Sequence, residues 1–425
     1  MTLALFLSLI FFFIINIPIA ISIALASIAA ILVKGNIPLV VVVQKMFTAT
    51  DSFPLMAVPF FILAGSLMEY GGISRRLVDF ANTIVGRLSG GLALVSIIAS
   101  MFFGAISGAA AATVAAIGTI LIPAMIRRGY DRGFATAVQA TAGTLGVMIP
   151  PSIPMVIYGV LTGVSIGALF IGGILPGILV GVSLMLVAYK ISKDRGYKGD
   201  EKVGFNKILM AFKDAILALL MPVIILGGIY GGVFTPTEAA VVAVVYGFII
   251  GFFVYKELKL KHLKDILTNT VVSTAMIMFI IATASVFGWL LASEQIPQVV
   301  ANALLSLSRN PIVILALINI LLLFIGTFME TVAAIIILVP VFLPVITQIG
   351  VDPLHFGLII VVNLAIGMVT PPLGVCLFIG CGIANIKLED ITRAVWPFLI
   401  VMVVDIILIT YIPAISTFLP KMLGM

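Results

Sequence analysis

Charged residues are scarce in this sequence. Only 9% of its 425 residues are Asp, Glu, Lys or Arg, while 62% are hydrophobic. Because a soluble domain carries roughly a quarter charged residues, this balance excludes a globular fold with a water-covered surface and predicts an integral membrane protein. The apolar runs are long enough for helices, which need about 20 residues to cross a bilayer, and they lack the short alternating strands of a membrane barrel.

Histidine and cysteine are also scarce, with two of each. His262 lies in a basic loop and His355 at a helix start, and the sequence contains neither an HExxH motif nor a phosphate-binding Walker loop. We therefore expect no enzyme activity and no cofactor. Cys376 and Cys381 are five residues apart in one apolar segment, where they would not face each other on a helix, so we expect no disulfide.

The basic residues are concentrated in short clusters. The formal net charge of +6 indicates orientation in a membrane and not nucleic-acid binding, because Lys and Arg prefer cytoplasmic loops. Residues 2–33 carry no charge and predict a single retained first helix with its N-terminus outside, while the course of residues 34–52 is left open. The clusters expected on the cytoplasmic side are residues 71–91, 127–132, 190–213 and 256–264.

Paired prolines interrupt two apolar segments, residues 133–163 and 353–385. Proline inside a helix removes a hydrogen bond and clashes with the preceding turn, so both segments are predicted to be broken helices. Two other stretches, 92–126 and 311–346, begin and end on one side of the membrane by their loop charges and predict re-entrant hairpins. The predicted fold is an all-α integral membrane protein with about 10–11 crossings.

The two halves of the chain match at a shift of 221 residues. This match predicts a duplication, with a first repeat at 1–190, a cytoplasmic basic linker at 191–213 and a second repeat at 214–425. The first broken segment is predicted to run outward and the second inward, so the repeats are inverted, as in secondary transporters. The alternative is a pair of kinked helices whose prolines only shape packing. The matching pairs are Pro123 with Pro344, Gly146 with Gly367, Pro150 with Pro371, Pro151 with Pro372, Gly159 with Gly380, and Pro176 with Pro397.

Two acidic residues lie deep in apolar segments, where ionisable groups usually have a function. Glu330 lies at the tip of the second predicted hairpin, and we expect it at a cation or substrate site, with a structural hydrogen bond as the alternative. Asp405 lies within the last long helix, where a packing or partner-interface role is favoured. Glu238 instead completes a capping box with Thr235 and marks a helix start.

No Lys or Arg lies deep in a predicted span, so an anionic substrate would be held by helix N-termini, hydroxyl groups and a bound cation. Sodium suits such oxygen-rich surroundings, although a single Ser or Thr in a helix more often bonds to its own backbone. The predicted sodium ligands are Ser107, Gly108, Thr113, Thr144, Gly146, Gly326, Thr327, Glu330, Asn363, Gly367 and Thr370. The predicted substrate-site residues are Ser107, Pro150, Pro151, Ser152, Thr331, Pro371 and Pro372.

With these features in place, the chain resembles the large membrane subunit, DctM type, of tripartite ATP-independent periplasmic (TRAP) transporters. The similarity extends over both halves. The stretches that carry it are "DSFPLMAVPFFILAGSLMEYGGISRRLVDFA" (51–81), "ISGAAAATVAAIGTILIPAM" (106–125), "IPPSIPMVIYG" (149–159), "GVFTPTEAA" (232–240) and "TPPLGVCL" (370–377).

The resemblance implies a sodium-driven importer of small organic acids, such as a C4-dicarboxylate, sialic acid or another sugar acid, in the bacterial inner membrane. It implies two partners, a small four-helix membrane subunit and a soluble periplasmic binding protein. It also implies elevator-type movement, with segments 74–88 and 295–307 as interfacial arms. The sequence departs from the family where Ala109 replaces a common serine and Glu330 a common aspartate.

Two other functions remain open from the sequence. One is a stand-alone sodium- or proton-coupled anion carrier that needs no binding protein. The other is a structural or energy-coupling membrane subunit that binds no solute. Neither hairpin carries a charge pattern that separates a dicarboxylate from a sugar acid.

Overall fold

The structure is a computed structural model that describes residues 1–201 and 204–425. Lys202 and Val203, which belong to the predicted linker 191–213, lie outside the described residues. The described residues form helices joined by turns and loops, with no β-strand. The helices before the linker are α1 Thr2–Ile14, α2 Ile19–Lys34, α3 Val40–Thr50, α4 Ala57–Tyr70, α5 Ile73–Val85, α6 Gly91–Ser107, α7 Ala110–Arg127, α8 Arg132–Gly143, α9 Leu145–Met148, α10 Ile153–Thr162 and α11 Ile166–Asp194.

The chain after the linker is also helical. Two short helical turns occur in addition to the α-helices: a 3-10 turn at Phe53–Met56 before α4, in the first half, and a π-helical turn at Ile250–Val254 after α13, in the second half. These helices are α12 Phe205–Tyr230, α13 Pro236–Ile249, α14 Leu260–Ser293, α15 Ile296–Leu307, α16 Pro311–Gly326, α17 Thr331–Gln348, α18 Pro353–Gly367, α19 Val375–Ala384, α20 Leu388–Tyr411 and α21 Ala414–Met422.

Nine helical stretches of the described chain are long and apolar enough to cross a membrane, and further apolar helices are shorter. The predicted all-α membrane fold is therefore confirmed, while the re-entrant course of the hairpins and the inverted orientation of the halves stay predictions. The nine stretches are Phe53–Tyr70, Ala110–Arg127, Arg132–Thr162, Ile166–Asp194, Phe205–Tyr230, Pro236–Val254, Leu260–Ser293, Thr331–Gln348 and Leu388–Tyr411.

The single first helix predicted for residues 2–33 is wrong, because the chain turns back and forms the helix pair α1 and α2. Asn16 adopts a left-handed conformation with φ of 62°, and Pro18 directly precedes α2. Proline has no backbone N–H and disfavours helix in the residue before it, so an apolar run without charge still breaks here. The start of α1 and the end of α2 both contact Glu294, whose carboxylate accepts hydrogen bonds from Thr2 Oγ1 at 3.3 Å and from Lys34 Nζ at 2.9 Å.

The segment left open by the sequence, residues 34–52, contains only the short helix α3. Its 11 residues are fewer than the roughly 20 that a crossing needs. The helix packs on α14, where Ser285 Oγ donates to the carbonyl of Lys45 at 3.0 Å and the Lys45 ammonium lies 5.7 Å from the Trp289 ring. We therefore describe this segment as a surface helix and not as a span.

The first arms of the two broken segments, α8 and α18, form the centre of the molecule. Every residue of α8 from Gly133 to Gly143 is buried, as is every residue of α18 from His355 to Gly367. Helix α8 packs between α7 and α20, and α18 packs against α16, α17 and α11. The first arms of both interrupted segments therefore lie in the core.

The predicted helix start at Thr235 is present, and both segments predicted as arms are helical, while their role as arms stays a prediction. The Thr235 side chain accepts from the Glu238 backbone N–H at 3.3 Å, and the Glu238 carboxylate accepts from the Thr235 N–H at 2.8 Å, which is the predicted capping box. Helices α5 and α15 occupy the segments predicted as amphipathic arms, and each turns a short apolar face inward, for example Leu77 of α5 and Ala301 of α15. Cys376 and Cys381 are both free and buried, as expected.

Candidate functional site

The tip between α6 and α7 lies directly on the first proline break. Helix α6 ends at Ser107, and Gly108 turns the chain with a φ of 63°, a conformation that glycine adopts without a steric penalty. The backbone N–H of Ile153, at the start of α10, donates to the Gly108 carbonyl at 3.2 Å. The backbone of the tip is therefore joined to the backbone of the break.

Close packing of small residues makes this contact tight. A Cβ added to Gly146 would lie 2.7 Å from the Ala109 carbonyl oxygen and 2.3 Å from Thr113 Oγ1. Real Cβ atoms do not approach backbone that closely, so glycine is required if the tip and the break are to meet. The predicted site residues Gly108, Thr113 and Gly146 are thus brought together.

The hydroxyl groups of the first half are buried, but they do not converge on one point. Ser107 Oγ and Thr113 Oγ1 lie 3.1 Å apart at the tip, and Thr113 also donates to the Ala109 carbonyl at 2.9 Å. Thr144 donates to the Thr141 carbonyl at 2.7 Å, and Ser152 donates to the Val147 carbonyl at 2.6 Å. Ser107 and Thr113 therefore form a pair, whereas Thr144 and Ser152 each bond to their own segment.

The tip between α16 and α17 contacts the second break in a similar way. The Gly374 N–H, at the end of that break, donates to the Thr327 carbonyl at 3.1 Å. A Cβ added to Gly367 would lie 2.5 Å from the Cα and carbonyl carbon of Gly326, so these two glycines bring backbone against backbone. Pro150–Pro151 and Pro371–Pro372 are both cis peptide bonds.

The oxygen-bearing side chains of the second half are more dispersed. Thr331 Oγ1 donates to the sulfur of Met368 at 3.1 Å, and Thr370 Oγ1 donates to the Ile366 carbonyl at 2.8 Å. Thr327 Oγ1 donates to the Phe324 carbonyl at 2.7 Å. The amide of Asn363 donates to Asn319 at 2.9 Å, and its buried carbonyl oxygen has no hydrogen-bond partner among the described residues.

Glu330 caps helix α17. Its carboxylate accepts from the backbone N–H groups of Val332 at 2.8 Å and Ala333 at 3.2 Å, as an N-cap residue does. The side chain also remains exposed at the tip. The structural hydrogen bond that the sequence left as an alternative is therefore present, and the exposed carboxylate still offers oxygen to a ligand.

Comparison with known families identifies the chain. The sequence profile of the family described as "Tripartite ATP-independent periplasmic transporter, DctM component" matches residues 6–415, nearly the whole length. This chain belongs to the DctM family. The resemblance indicated by the sequence motifs is confirmed, and the chain is a transport protein and not an enzyme. Together with its apolar helices, family membership places this DctM chain in the bacterial inner membrane as a multi-pass protein.

Individual relatives of this DctM chain carry several substrate names. The isethionate TRAP transporter permease protein DctMQ of Oleidesulfovibrio alaskensis is 50% identical over 408 residues, which is 96% of this chain but only 64% of that protein. The C4-dicarboxylate large permease DctM of Pseudomonas aeruginosa is 45% identical and covers 90% of this chain and 89% of its own. The sialic acid large permease SiaM of Vibrio cholerae is 40% identical, with 95% of each chain covered.

Solved structures with the same fold are transporters of low sequence identity. The YdaH transporter of Alcanivorax borkumensis superposes with a TM-score of 0.58 at 16% identity, covering 87% of this DctM chain and 86% of its own. MtrF of Neisseria gonorrhoeae superposes with a TM-score of 0.54 at 13% identity, covering 87% and 84%. At these identities the likeness shows a shared membrane-transporter fold and nothing about substrate.

The remaining deep acid of the DctM chain, Asp405, lies away from both tips. It is buried on α20 and accepts from Ser183 Oγ of α11 at 2.9 Å, while its second carboxylate oxygen has no partner among the described residues. This position joins two long helices and does not reach either proline break. The contact agrees with the packing role favoured by the sequence.

Two buried amides near the tips were missed by sequence reasoning. Gln139 of α8 accepts from Ser96 and donates to Ser100 Oγ at 3.3 Å and to the Thr113 carbonyl at 3.4 Å. Asn319 of α16 connects Asn363 to Thr410, to which it donates at 2.9 Å. A single amide inside an otherwise apolar helix is the signal that could have pointed to both residues.

The repeat preserves the backbone features of the DctM site but not its oxygens. At the shift of 221 residues Gly146 and the paired prolines of the first break coincide with Gly367 and the paired prolines of the second, whereas the polar side chains do not. The first half therefore places its hydroxyl groups at different points of the shared backbone from those of the second half. The mismatched pairs are Thr144 with Ala365, Ser152 with Leu373, Thr370 with Ile149, Asn363 with Ala142, and Glu330 with Ala109.

Proposed function

We propose that this DctM-family permease imports a small organic anion together with sodium. The observation that carries the proposal is that each tip is hydrogen-bonded to a proline break, through Ile153 to Gly108 in the first half and Gly374 to Thr327 in the second. An interrupted helix leaves free N–H groups that attract an anion and free carbonyl groups that attract a cation. Two such interruptions, each in contact with a tip, support a combined anion and cation site.

The chemistry of the tips supports a cation that helps to hold the anion. Residues 104–113, 143–153, 324–331 and 363–374 contain no Lys or Arg, so no basic side chain from these segments can neutralise a substrate carboxylate. Oxygen ligands are available in the Ser107 and Thr113 pair and in the unpartnered amide oxygen of Asn363. Hard cations prefer such oxygens, and we propose sodium.

The substrate class follows from the named relatives. Isethionate, C4-dicarboxylates and sialic acid are all small polar organic anions, and each belongs to the name of a relative between 40% and 50% identical. We propose the same class for this permease. Isethionate is the first solute to test, since the relative of that name is 50% identical over 96% of this chain.

We further propose that the permease works with a small membrane subunit and a soluble periplasmic binding protein. The family description names a tripartite periplasmic transporter. The relative called DctMQ is longer than this chain, which spans 64% of it, and the name itself carries a second letter beside M. Both facts support a second membrane component as partner.

The deciding experiment is uptake into proteoliposomes. The purified chain is reconstituted alone, with a candidate small subunit, and with candidates for both partners. Radiolabelled isethionate, succinate and N-acetylneuraminate are offered under an inward sodium or potassium gradient. We expect uptake of one of these solutes only when both partners and sodium are present. Uptake by the chain alone would instead show a stand-alone carrier, and equal uptake in potassium would reject sodium coupling.

Single threonine variants test the ion ligands within this assay. We expect Thr113→Val to raise the sodium concentration for half-maximal uptake at least fivefold, and Thr144→Val and Thr370→Val to do so if they are ligands. Thr347→Val is the matched control, because its hydroxyl bonds to the Leu343 carbonyl at 2.8 Å, as Thr370 bonds to Ile366, but it lies at the far end of α17. A threonine variant that matches this control is not a ligand.

Elevator movement is the remaining part of the proposal. A cavity of about 310 Å³ is lined by residues of α3, α10, α14 and α17, and Val160 of α10 and Ser285 of α14 are both in its lining. In a background without native cysteines, we expect a cross-linker between Val160→Cys and Ser285→Cys to stop uptake and reduction to restore it. The pair Phe6→Cys and Phe287→Cys, whose native rings lie 6.4 Å apart in α1 and α14, serves as control and should tolerate cross-linking. Undiminished uptake by the first cross-linked pair would contradict movement at this boundary.

A further inference from the structure

A charged cavity of about 590 Å³ lies on the face predicted to be cytoplasmic. It is bounded by the arm helix α5, by the first turns of α12 and by the loop that follows the π-helical turn. The cavity lies where α5, from the first half of the chain, packs against α12, the first long helix of the second half. Its charged lining residues are Arg75, Arg76, Asp79, Lys207, Asp214 and Glu257.

Arg76 and Glu257, two residues of the cavity lining, form an ion pair. Arg76 Nη1 donates to Glu257 Oε1 at 2.7 Å and to the Gly72 carbonyl at 2.8 Å, and its guanidinium lies 3.7 Å from the centre of the Tyr255 ring. The Tyr255 hydroxyl in turn donates to the Asp214 backbone carbonyl at 2.8 Å. Arg76 and Glu257 are thus occupied with each other, and they fix the shape of the cavity.

The other four charged groups of the cavity have no such partners. Arg75, Lys207, Asp79 and Asp214 form no ion pair within 4 Å with any residue that the structure describes. Burial raises the pKa of the Asp79 carboxyl, an effect that Arg75 and Arg76 oppose and Asp214 increases. The cavity therefore offers two cationic and two anionic groups to one ligand, and these charges cancel.

Exposed apolar side chains occur in the cavity lining or within two residues of it in the sequence. Met210 of α12 lines the cavity itself and is 64% exposed, and Leu209 beside it is also exposed. Phe253 in the π-helical turn is 60% exposed. A ligand whose charged end fills the cavity would find apolar surface next to it, as a lipid at the membrane interface requires.

We propose that this cavity binds the head group of a zwitterionic phospholipid of the phosphatidylethanolamine type. The phosphate diester lies between Arg75 and Lys207, the ammonium group donates hydrogen bonds to Asp79 and Asp214, and the acyl chains lie along Met210 and the π-helical turn. An anionic phospholipid would meet the same basic groups but would place no cation beside the two carboxylates. The bound lipid joins α5 to α12 and restrains the arm.

The test is native mass spectrometry of the full chain after delipidation in detergent. Dioleoyl phosphatidylethanolamine, phosphatidylcholine and phosphatidylglycerol are added separately at equal concentration, and bound lipids are counted. We expect phosphatidylethanolamine to bind at least fivefold more tightly than the other two. Phosphatidylcholine has the same phosphate but a quaternary amine that cannot donate, so it measures the part played by the carboxylates.

Variants assign the binding to this cavity. The double variant Asp79→Asn/Asp214→Asn should lose at least fivefold in phosphatidylethanolamine affinity and keep or gain affinity for phosphatidylglycerol. The double variant Arg75→Gln/Lys207→Gln should lose affinity for both lipids. The control Lys264→Gln/Asp265→Asn changes one group of each sign at the start of α14, outside the cavity, and should change neither affinity.

Three outcomes would overturn the proposal. Tighter binding of phosphatidylglycerol by the unmodified chain would replace a zwitterionic site with an anionic one. Lipid binding by both cavity variants that equals the control would place the lipid elsewhere. Soluble glycerophosphoethanolamine that displaces the lipid at equal concentration would show a site for a free phosphodiester and not for a membrane lipid.

Discussion

The two proline breaks share one backbone pattern and differ in burial. Pro150, Pro151 and Ser152 are all buried, whereas Pro372 is exposed and Leu373 is 47% exposed. The second tip is exposed too, with Phe328 46% exposed, while Ser107 of the first tip is buried. The repeated glycine and prolines therefore specify where a helix breaks, and the surrounding helices specify which break is enclosed.

This comparison suggests different tasks for the two halves. In the first half the tip, the break and their hydroxyl groups are enclosed by α8 and its neighbours, so movement there would disturb the core. In the second half the tip residues Phe328 and Glu330 are exposed, so neighbouring helices enclose this tip less completely. We expect the first half to hold a fixed part of the site and the second half to supply its movable wall.

The largest effect should come from filling the glycine contacts. We expect Gly146→Ala to lower the yield of folded protein and the unfolding temperature, because its Cβ would lie 2.7 Å from the Ala109 carbonyl oxygen inside the enclosed tip. Overpacking of this kind typically costs about 1–3 kcal/mol. Gly367→Ala places its Cβ 2.5 Å from Gly326 backbone; because the second tip is less enclosed than the first, we expect a smaller loss of unfolding temperature and at least a tenfold reduction in uptake.

The matched control for both glycine variants is Gly382→Ala on α19. A Cβ at Gly382 meets no atom within 4 Å, so the thermal unfolding and uptake of this variant should equal those of the unmodified protein. Equal loss of unfolding temperature in Gly146→Ala and Gly367→Ala would show that the two halves are equally rigid. That result would contradict the proposed difference between the enclosed first half and the more exposed second half.

The next effect concerns access to the breaks. In a background with Cys376→Ala and Cys381→Ala, we expect Leu373→Cys to react with a hydrophilic maleimide at least tenfold faster than Ser152→Cys, because Ser152 is buried. Labelling rates are measured by mass spectrometry, with unfolded protein as the reference for full reactivity. Slower labelling of Leu373→Cys in the presence of solute and sodium would place the site at this break, and equal rates at both positions would contradict the difference in access.

A smaller effect should follow from the helix caps of the two tips. Glu330 caps α17, whereas Ala109 precedes α7 and has no capping side chain. We expect Glu330→Ala to lower the free energy of unfolding by about 1 kcal/mol and Glu330→Asp to retain most of it, because aspartate is also a good N-cap residue. Ala109→Ser should change it by less. Chemical unfolding monitored by circular dichroism measures these differences, and an uptake defect in Glu330→Asp without lost stability would reveal a ligand role.

The smallest effect on stability should come from the ion pairs beside α5 and α15. The arm α5 is held by Arg76 and Glu257, while α15 follows Glu294, whose carboxyl pKa is lowered chiefly by the hydrogen bond from Lys34. A lowered folded-state pKa gives stability that is complete above the ordinary carboxyl value of about 4.3 and is lost as the pH falls through the lowered value. The unfolding temperature of Lys34→Gln should lie slightly below that of the unmodified protein at pH 7 and coincide with it at the acid end. A difference that persists after acidification would contradict this assignment.

Features that depend on neighbouring residues were predictable from the sequence. Charge scarcity predicted membrane helices, and the Thr235 and Glu238 pattern predicted the capping box that the structure contains. The same local reasoning missed the turn at Asn16 in residues 2–33, because no charge or glycine marks it and a lone proline in an apolar run also occurs inside membrane helices. Local patterns therefore indicate helices well but do not always show where an apolar run folds back.

The hydrogen bonds within the candidate site could not be predicted from local sequence patterns. Gln139 and Asn319 bind tip and break residues only because α8 lies against α7 and α16 lies against α18. Thr144 and Ser152 were grouped with Ser107 by proximity to the break, yet each hydroxyl bonds to its own segment. Hydrogen-bond partners within a turn follow from sequence spacing, whereas partners on other helices follow from packing.

The sequence by itself determined that this protein is a helical membrane transporter of the DctM family and that its helices break at two equivalent places. Backbone chemistry is local, so prolines and glycines act the same way in both halves. Only the tertiary structure decided that one break is enclosed and the other exposed, and that a charged cavity forms where α5 meets α12. Burial depends on which helices surround a segment, and that arrangement is set by contacts between residues far apart in the chain.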